Sequence, residues 1–242
     1  MESHSSVSVI IPAAGVGSRM GKSLPKQYLK IGSKTVIEHT LDTFLTHPNV
    51  ARIVVCLSEK DTIFKSMSIS SHNKIHQTPG GQERANSVLK GLVYLQSILS
   101  EQEQNQHMVF VHDAARPGLT RKNFDALIER ASIEQGAILA MPVVDTIKLA
   151  KTKRDKATYI EKTVDRQYLW QAQTPQGFSL NLLKSALEQA LAEHATITDE
   201  ASAIEYVRGN VALVEGESCN FKITRPEDLA LAEFYLLQQE RL

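Results

Sequence analysis

The sequence predicts an α/β fold: a doubly wound, mostly parallel sheet with an inserted β-hairpin arm. Three observations carry that reading. Short β-branched and aliphatic runs alternate with segments whose apolar residues recur at helical spacing. A glycine-rich loop follows the first such run directly, and open α/β sheets bind ligands beyond the carboxyl ends of their strands. Late in the chain, two strand-like segments flank a charged stretch, which interrupts the alternation.

Taken in order, Val7–Ile11 is an apolar run ending at Pro12 and reads as a buried strand. Residues 12 to 34 are rich in Gly, Ser and Lys and read as loop. Val36, Ile37, Thr40, Leu41 and Phe44 have helical spacing, and residues 53–57 form a second apolar run. Residues 61–67 suit a short helix, and 74–77 a short strand before Pro79-Gly80-Gly81. A long helix is expected over 84–100, with Val88, Leu89, Leu92, Val93, Leu95 and Leu99 on one broad face. Residues 102–106 read as a polar connection, 108–111 as a strand, 122–135 as a helix and 137–141 as a strand.

Residues 146–150 and 159–163 then suggest an exposed hairpin, an arm over about 143–168. Helices are expected over 180–193 and 199–208, and short strands over 211–214 and 221–223. Thr224 and Glu227 have capping-box spacing ahead of a last helix bearing Leu229, Leu231, Phe234, Tyr235 and Leu237. No internal repeat is visible, so the 242 residues read as one domain with an arm.

Composition narrows the function. Lys and Arg total 27, as do Asp and Glu, so the formal net charge is zero. A protein that covers nucleic-acid phosphates, or binds an anionic membrane surface, would normally carry a basic excess. The 42% hydrophobic and 22% charged content is that of a globular chain. Two cysteines, Cys56 in an apolar run and Cys219 in a polar turn, make neither a disulfide framework nor a zinc site. With no signal-peptide pattern and no apolar stretch of about 18 residues, a cytoplasmic protein without nucleic-acid or membrane partners is expected.

The loop Pro12-Ala-Ala-Gly-Val-Gly-Ser-Arg-Met-Gly-Lys-Ser-Leu-Pro-Lys26 admits several readings. A dinucleotide fingerprint fits Gly15-x-Gly17, but Met20 occupies its third glycine position. A P-loop ending at Gly21-Lys22-Ser23 would need glycine at 16, where valine stands. A nucleotidyltransferase triphosphate loop would use small residues to admit the nucleoside and cations to reach the phosphates. Charge order favours it: Arg19, Lys22, Lys26, Lys30 and Lys34 fall between Glu2 and Glu38 with no acidic residue among them. A solvated loop with scattered lysines stays open on composition alone.

This loop, continued by Pro25-Lys26-Gln27-Tyr28, resembles that of the polyol-phosphate cytidylyltransferases. The resemblance extends through Gly80-Gly-Gln-Glu-Arg-Ala-Asn-Ser87, His112-Asp-Ala-Ala-Arg-Pro117, Asp145-Thr-Ile-Lys148, Thr163-Val-Asp-Arg166, Gln173-Thr-Pro-Gln176, Thr198-Asp-Glu-Ala-Ser202 and residues 221–228. It implies a Rossmann-like sheet and transfer of a cytidylyl group from CTP to a polyol phosphate with a divalent cation, Mg²⁺. The blocks at 12–15, 112–116 and 163–166 have the methylerythritol-phosphate form. A ribitol 5-phosphate enzyme and a non-catalytic nucleotide-binding regulator are the alternatives.

By the same resemblance, Arg19, Lys26 and Lys222 are the catalytic cations. Ala13, Ala14, Gly15, Gly80, Gly81, Gln82, Ser87 and Ala114 bind CTP. Gln82, whose amide both donates and accepts, replaces an aspartate of a relative. Asp113 binds substrate and holds the metal, with Thr146, Arg166 and Thr174 at the polyol phosphate. His112 reads as a brace, Arg116 as a brace or a ligand contact, Asp199 as a helix cap or a ligand contact, and the hairpin as a homodimerisation arm that brings Thr146 and Arg166 to the neighbouring site.

Overall fold

The computed structural model describes residues 6–15, 24–152 and 158–242, with the side chain of Thr152 left aside. Arg19, expected among the catalytic cations, lies outside them.

The strands are β1 (Val7–Pro12), β2 (Lys30–Ile31), β3 (Lys34–Thr35), β4 (Val50–Leu57), β5 (Ile75–Pro79), β6 (Met108–Val111), β7 (Gly136–Pro142), β8 (Ile147–Thr152), β9 (Thr158–Val164), β10 (Trp170–Ser179) and β11 (Ala212–Glu215). The helices are α1 (Val36–Leu45), α2 (Ile63–Ser66), α3 (Arg84–Ile98), α4 (Glu101–Gln106), α5 (Arg121–Ile133), α6 (Leu180–Ala192), α7 (Glu200–Tyr206) and α8 (Asp228–Gln238).

A seven-stranded sheet runs β11-β7-β10-β6-β1-β4-β5. It is parallel except for β10, which pairs antiparallel with both β6 and β7. From β1 the chain winds outward through β4 and β5, then returns to β6 on the other side of β1. The order therefore switches beside β1, and a crevice opens there beyond the strand ends.

Alternation along β1 supplies both faces of the sheet. Val9 and Ile11 pack with Ile37, Leu41 and Phe44 of α1 and with Phe124 and Leu127 of α5. Ile10 faces the other way, toward Val88, Leu92 and Leu95 of α3, with α6 and α7 beyond. A smaller cluster joins Ile31 and Val36 to Ile223 and to Ala232 and Leu236 of α8.

Several expectations change. Residues 102–106 are not a bare connection but lie in α4, because Ser100 and Glu103 form a reciprocal capping box. Residues 221–223 form no strand; their contacts are single bonds, such as Ile223 N–H to the Ala115 carbonyl at 2.9 Å. The last helix has no side-chain cap: Glu227 at its N-cap makes no such bond, and Asp228 instead accepts from the amides of Thr224 and Arg225 in the turn before it. That helix buries Ala232 and Leu236, leaving Leu231, Phe234 and Leu237 exposed, as is Val93 on α3. Cys219 is buried despite its polar neighbours. The β8–β9 hairpin forms a separate two-stranded sheet, with Ile160 exposed on it.

The largest omission is β10. Its sequence, Trp-Gln-Ala-Gln-Thr-Pro-Gln-Gly-Phe-Ser, is polar and contains a proline, so hydrophobic patterning does not reveal it. Gln173, Thr174 and Gln176 are nevertheless buried, each satisfied by hydrogen bonds. Gly177 is obligatory there, because a Cβ would run into the Phe110 ring of β6.

Two buried histidines flank β6. His107 meets the Ser8 hydroxyl at 2.8 Å, and His112 bridges the Arg116 carbonyl and Thr174. Burial pushes both imidazoles down to about 4, and it lowers His39 and His76 as well.

Two measurements follow. Gly177→Ala should lower unfolding stability by about 1–3 kcal/mol through overpacking, read from urea melts; an unchanged midpoint would contradict the contact. Unfolded histidine titrates near about 6.5, so below that pH the unfolded chain binds more protons than the folded one. The urea midpoint should therefore fall as pH drops from about 6.5 to about 5, and a flat profile would show the histidines are not buried neutral.

Candidate active site

Three strand ends build the crevice. β1 delivers Pro12 and Ala13–Gly15, β5 delivers the turn at Gly80–Gly81, and β6 delivers His112–Ala115. The segment after the buried Cys219–Asn220 turn closes the side with Lys222 and Thr224. The cleft measures about 490 Å³ and is lined by Ala13, Ala14, Gly15, Lys26, Gly81, Gln82, Glu83, Arg84, Ser87, Asp113, Ala114 and Lys222, among others. That volume suits a ligand of nucleotide size, since small-molecule sites span roughly 300–1,000 Å³.

One wall is made of small residues and backbone. The Gln27 amide donates to the Ala13 carbonyl at 3.1 Å and holds the strand end in place. Ser87 Oγ accepts from Gly81 N–H at 2.9 Å and donates to the Glu83 carbonyl at 3.2 Å. It is thus the bracket of the 80–83 turn rather than a surface serine. Gly80 stands just behind the lining. Its amide donates to the Leu57 carbonyl at 2.7 Å, and a Cβ there would strike Ala14.

The floor is ionic. Asp113 is 7% exposed, yet its two oxygens meet three cations. Arg84 Nε lies 3.0 Å from Oδ1; Arg116 Nε and Lys222 Nζ lie 3.2 and 3.0 Å from Oδ2. Burial alone would raise the carboxyl pKa, but Arg84, Lys222 and Arg116 together hold it well below the ordinary carboxylate range. Arg84 also forks onto Glu200, with bonds of 2.6 and 3.0 Å. Arg116 donates to the Asn220 carbonyl at 2.9 Å, which ties the floor to the segment carrying Lys222. Lys26 Nζ donates to the Ile223 carbonyl at 2.7 Å, so Lys26 and Lys222 converge on one short stretch of chain.

Behind the floor, hydrogen bonds fix the backbone of Asp113. Its N–H donates to Thr174 Oγ1 at 3.1 Å, and that hydroxyl lies 3.0 Å from His112 Nδ1. The Arg116 carbonyl, 3.0 Å from His112 Nε2, can only accept. Nε2 therefore carries the proton of the neutral ring, and Nδ1 accepts from Thr174.

Most of the expected residues meet here: Ala13, Ala14, Gly15, Lys26, Gly81, Gln82, Ser87, Asp113, Ala114 and Lys222 all line the cleft. Thr174 does not; it is buried behind Asp113 as a strut. Thr146 and Arg166 stand exposed on the arm, away from this chain's cleft, and an Arg166 N–H donates to the Val144 carbonyl. Sequence reading gave no role to Arg84 or Glu200. Both sat in quoted motif blocks, but a charged pair 116 residues apart leaves no spacing signal.

The profile of the 2-C-methyl-D-erythritol 4-phosphate cytidylyltransferase family matches residues 7–238. A Vibrio vulnificus (strain YJ016) protein of that name is 49% identical over 239 residues, 98% of each chain. A Photorhabdus laumondii relative is 46% identical over 242 residues, covering 98% of this chain and 97% of its own. A solved 4-diphosphocytidyl-2C-methyl-D-erythritol synthase superposes with a TM-score of 0.80 at 39% identity, over 96% of this chain and 98% of that one. The Francisella tularensis 2-C-methyl-D-erythritol 4-phosphate cytidylyltransferase gives 0.80 at 34% identity, over 96% and 100%. Joined to a cation-rich cleft at the switch point of the sheet, these likenesses place the chain in the 2-C-methyl-D-erythritol 4-phosphate cytidylyltransferase family.

Proposed function

We propose that this chain converts CTP and 2-C-methyl-D-erythritol 4-phosphate into 4-diphosphocytidyl-2-C-methyl-D-erythritol and pyrophosphate, as a step of isoprenoid precursor synthesis in the cytoplasm. The observation that carries this reading is the convergence of Lys26 and Lys222 on one stretch of chain at the cleft. Cytidine would rest on the wall of Ala13, Ala14, Gly15, Gly81, Gln82, Ser87 and Ala114, backed by Gly80, with its phosphates directed toward the lysines.

In the reaction, an oxygen of the polyol phosphate attacks the α-phosphorus of CTP. A new P–O bond forms, the bond to the bridging β-oxygen breaks, and pyrophosphate leaves with that electron pair. A phosphate monoester with a second pKa of about 6 is largely dianionic at neutral pH, so no strong base is needed. The barrier lies in bringing two polyanions together and in the charge that builds at the α-phosphate. Fixed cations lower both. Lys26 and Lys222 supply that charge, with Arg19 assigned the same role on the family pattern.

Mg²⁺ fits this floor as an ion shared with the substrate. Asp113 would be its carboxylate, with an oxygen made available as Lys222 turns from Oδ2 to the phosphates, and among the described residues no group of three His, Cys, Asp or Glu side chains forms a protein cage. Mg²⁺ commonly takes one or two carboxylates and completes its shell with substrate phosphates and water. Bound there, it would neutralise phosphate charge.

Thr146 and Arg166 are proposed to hold the polyol phosphate of a neighbouring subunit, with the β8–β9 arm as the contact of a homodimer. Their exposure, that of Val144 and Tyr168 near them in the chain, and that of Ile160 further along the hairpin support this. Thr174 is proposed to act on that substrate through its support of Asp113.

Pyrophosphate release from CTP with a panel of polyol phosphates tests the substrate. Release should be fastest with the methylerythritol phosphate, and rapid release with ribitol 5-phosphate alone would overturn the assignment. Lys26→Ala should lower turnover about 10²–10³-fold and CTP binding far less. Equal turnover would remove Lys26 from catalysis. Mixing Arg166→Ala with Lys26→Ala subunits should restore activity in the heterodimer; none in a confirmed heterodimer would place Arg166 in its own chain's site.

A further inference from the structure

We propose that Glu200 is a positioning residue for the cytidylyl transfer, acting through Arg84 to set the Asp113 carboxylate on the cleft floor. The inference rests on the function proposed above.

Glu200 opens α7, and its carboxylate is 1% exposed and does not line the cleft. It therefore touches no substrate. Its two oxygens take both terminal nitrogens of Arg84, the first residue of α3. Only Nε is left, and it faces Asp113 Oδ1. All three guanidinium nitrogens are thus engaged with carboxylates, although Arg84 itself lines the cleft. A planar fork gripped on one edge has a fixed direction on the other. Arg84 thereby holds Oδ1 with a single bond, and Oδ2 keeps Lys222 and Arg116.

The clamp has its own support. Gln176 of β10 accepts from the Ala201 N–H at 2.9 Å and donates to Asp199 Oδ2 at 2.9 Å, which pins the start of α7. Thr174, two residues earlier on the same strand, holds the backbone of Asp113. One short stretch of β10 thus orients Asp113 twice: its backbone through Thr174, and its side chain through Gln176, α7, Glu200 and Arg84. A pair serving stability alone would not need to end on a cleft carboxylate.

Without the Glu200 charge, the freed fork of Arg84 keeps Asp113 as its carboxylate partner. Pairing with both its oxygens would displace Lys222 from Oδ2. The loss should fall on the chemical step, because the cytidine wall is not part of this chain of contacts.

The test uses the full chain with Glu200→Gln, Arg84→Lys and the double variant, in single-turnover pyrophosphate release with CTP and methylerythritol phosphate, alongside CTP titration calorimetry. Each single variant should lower the rate about tenfold or more while CTP affinity changes less than about threefold. The double variant should be no slower than the slower single one, as for two residues acting as a unit. A folded Glu200→Gln protein with the parent rate would overturn the proposal, and so would additive losses. Should Glu200→Gln not fold, Arg84→Lys decides alone: it keeps the charge and loses the fork, so a parent rate in it is equally fatal. A parent that releases no pyrophosphate from these substrates defeats the functional reading instead.

Discussion

A single buried carboxylate organises this molecule's functional half. Ionised Asp113 lies on the cleft floor with little access to water. Removing an ion from water costs several kcal/mol unless opposite charge and hydrogen bonds replace the solvent. Here the replacement comes from three places in the chain: Arg84 at the start of α3, Arg116 in the loop after β6, and Lys222 after the Cys219–Asn220 turn. Satisfying one charge therefore draws two distant segments, at Arg84 and Lys222, to the loop that carries both Asp113 and Arg116. The sheet provides the point itself, since β1 and β6 end side by side where the strand order reverses.

The same arrangement explains how a chain of zero net charge can attract polyanions. The acids at the floor are matched by bases: Glu200 by Arg84, and Asp113 by three cations. Burial raises the Glu200 carboxyl pKa despite the opposing pull of Arg84, and the two hydrogen bonds of 2.6 and 3.0 Å tie the pair. Arg84 and Arg116 are held by backbone and carboxylate contacts, which makes them structural charges. Lys26 and Lys222 sit on more adaptable stems, and a lysine ammonium is a compact point charge that can change partners. The arginines thus build the floor and the lysines serve the ligand.

How much of this was legible in the sequence depends on what kind of residue did the work. Apolar runs such as residues 7–11 and 108–111 announced their strands, because a buried parallel strand must be apolar on both faces. Motif blocks located the small-residue wall, Asp113, Lys26 and Lys222. Buried polar residues stayed hidden: β10 reads as a polar loop because its Gln and Thr side chains are paid for by hydrogen bonds that no local pattern records. The Glu200–Arg84 pair stayed hidden for the same reason, its partners being 116 residues apart. Local capping also overrode composition, as Ser100 and Glu103 turned a polar stretch into α4.

The central claim is that Asp113 stays charged in its burial because the three cations hold it. The direct measurement is the side-chain carboxyl carbon resonance of Asp113, assigned by comparison with Asp113→Asn and followed through acid titration. The expected result is no protonation step through the range, near about 3.9, where ordinary aspartates take up a proton, down to the point of acid unfolding. A midpoint at or above that value in the folded protein would contradict it.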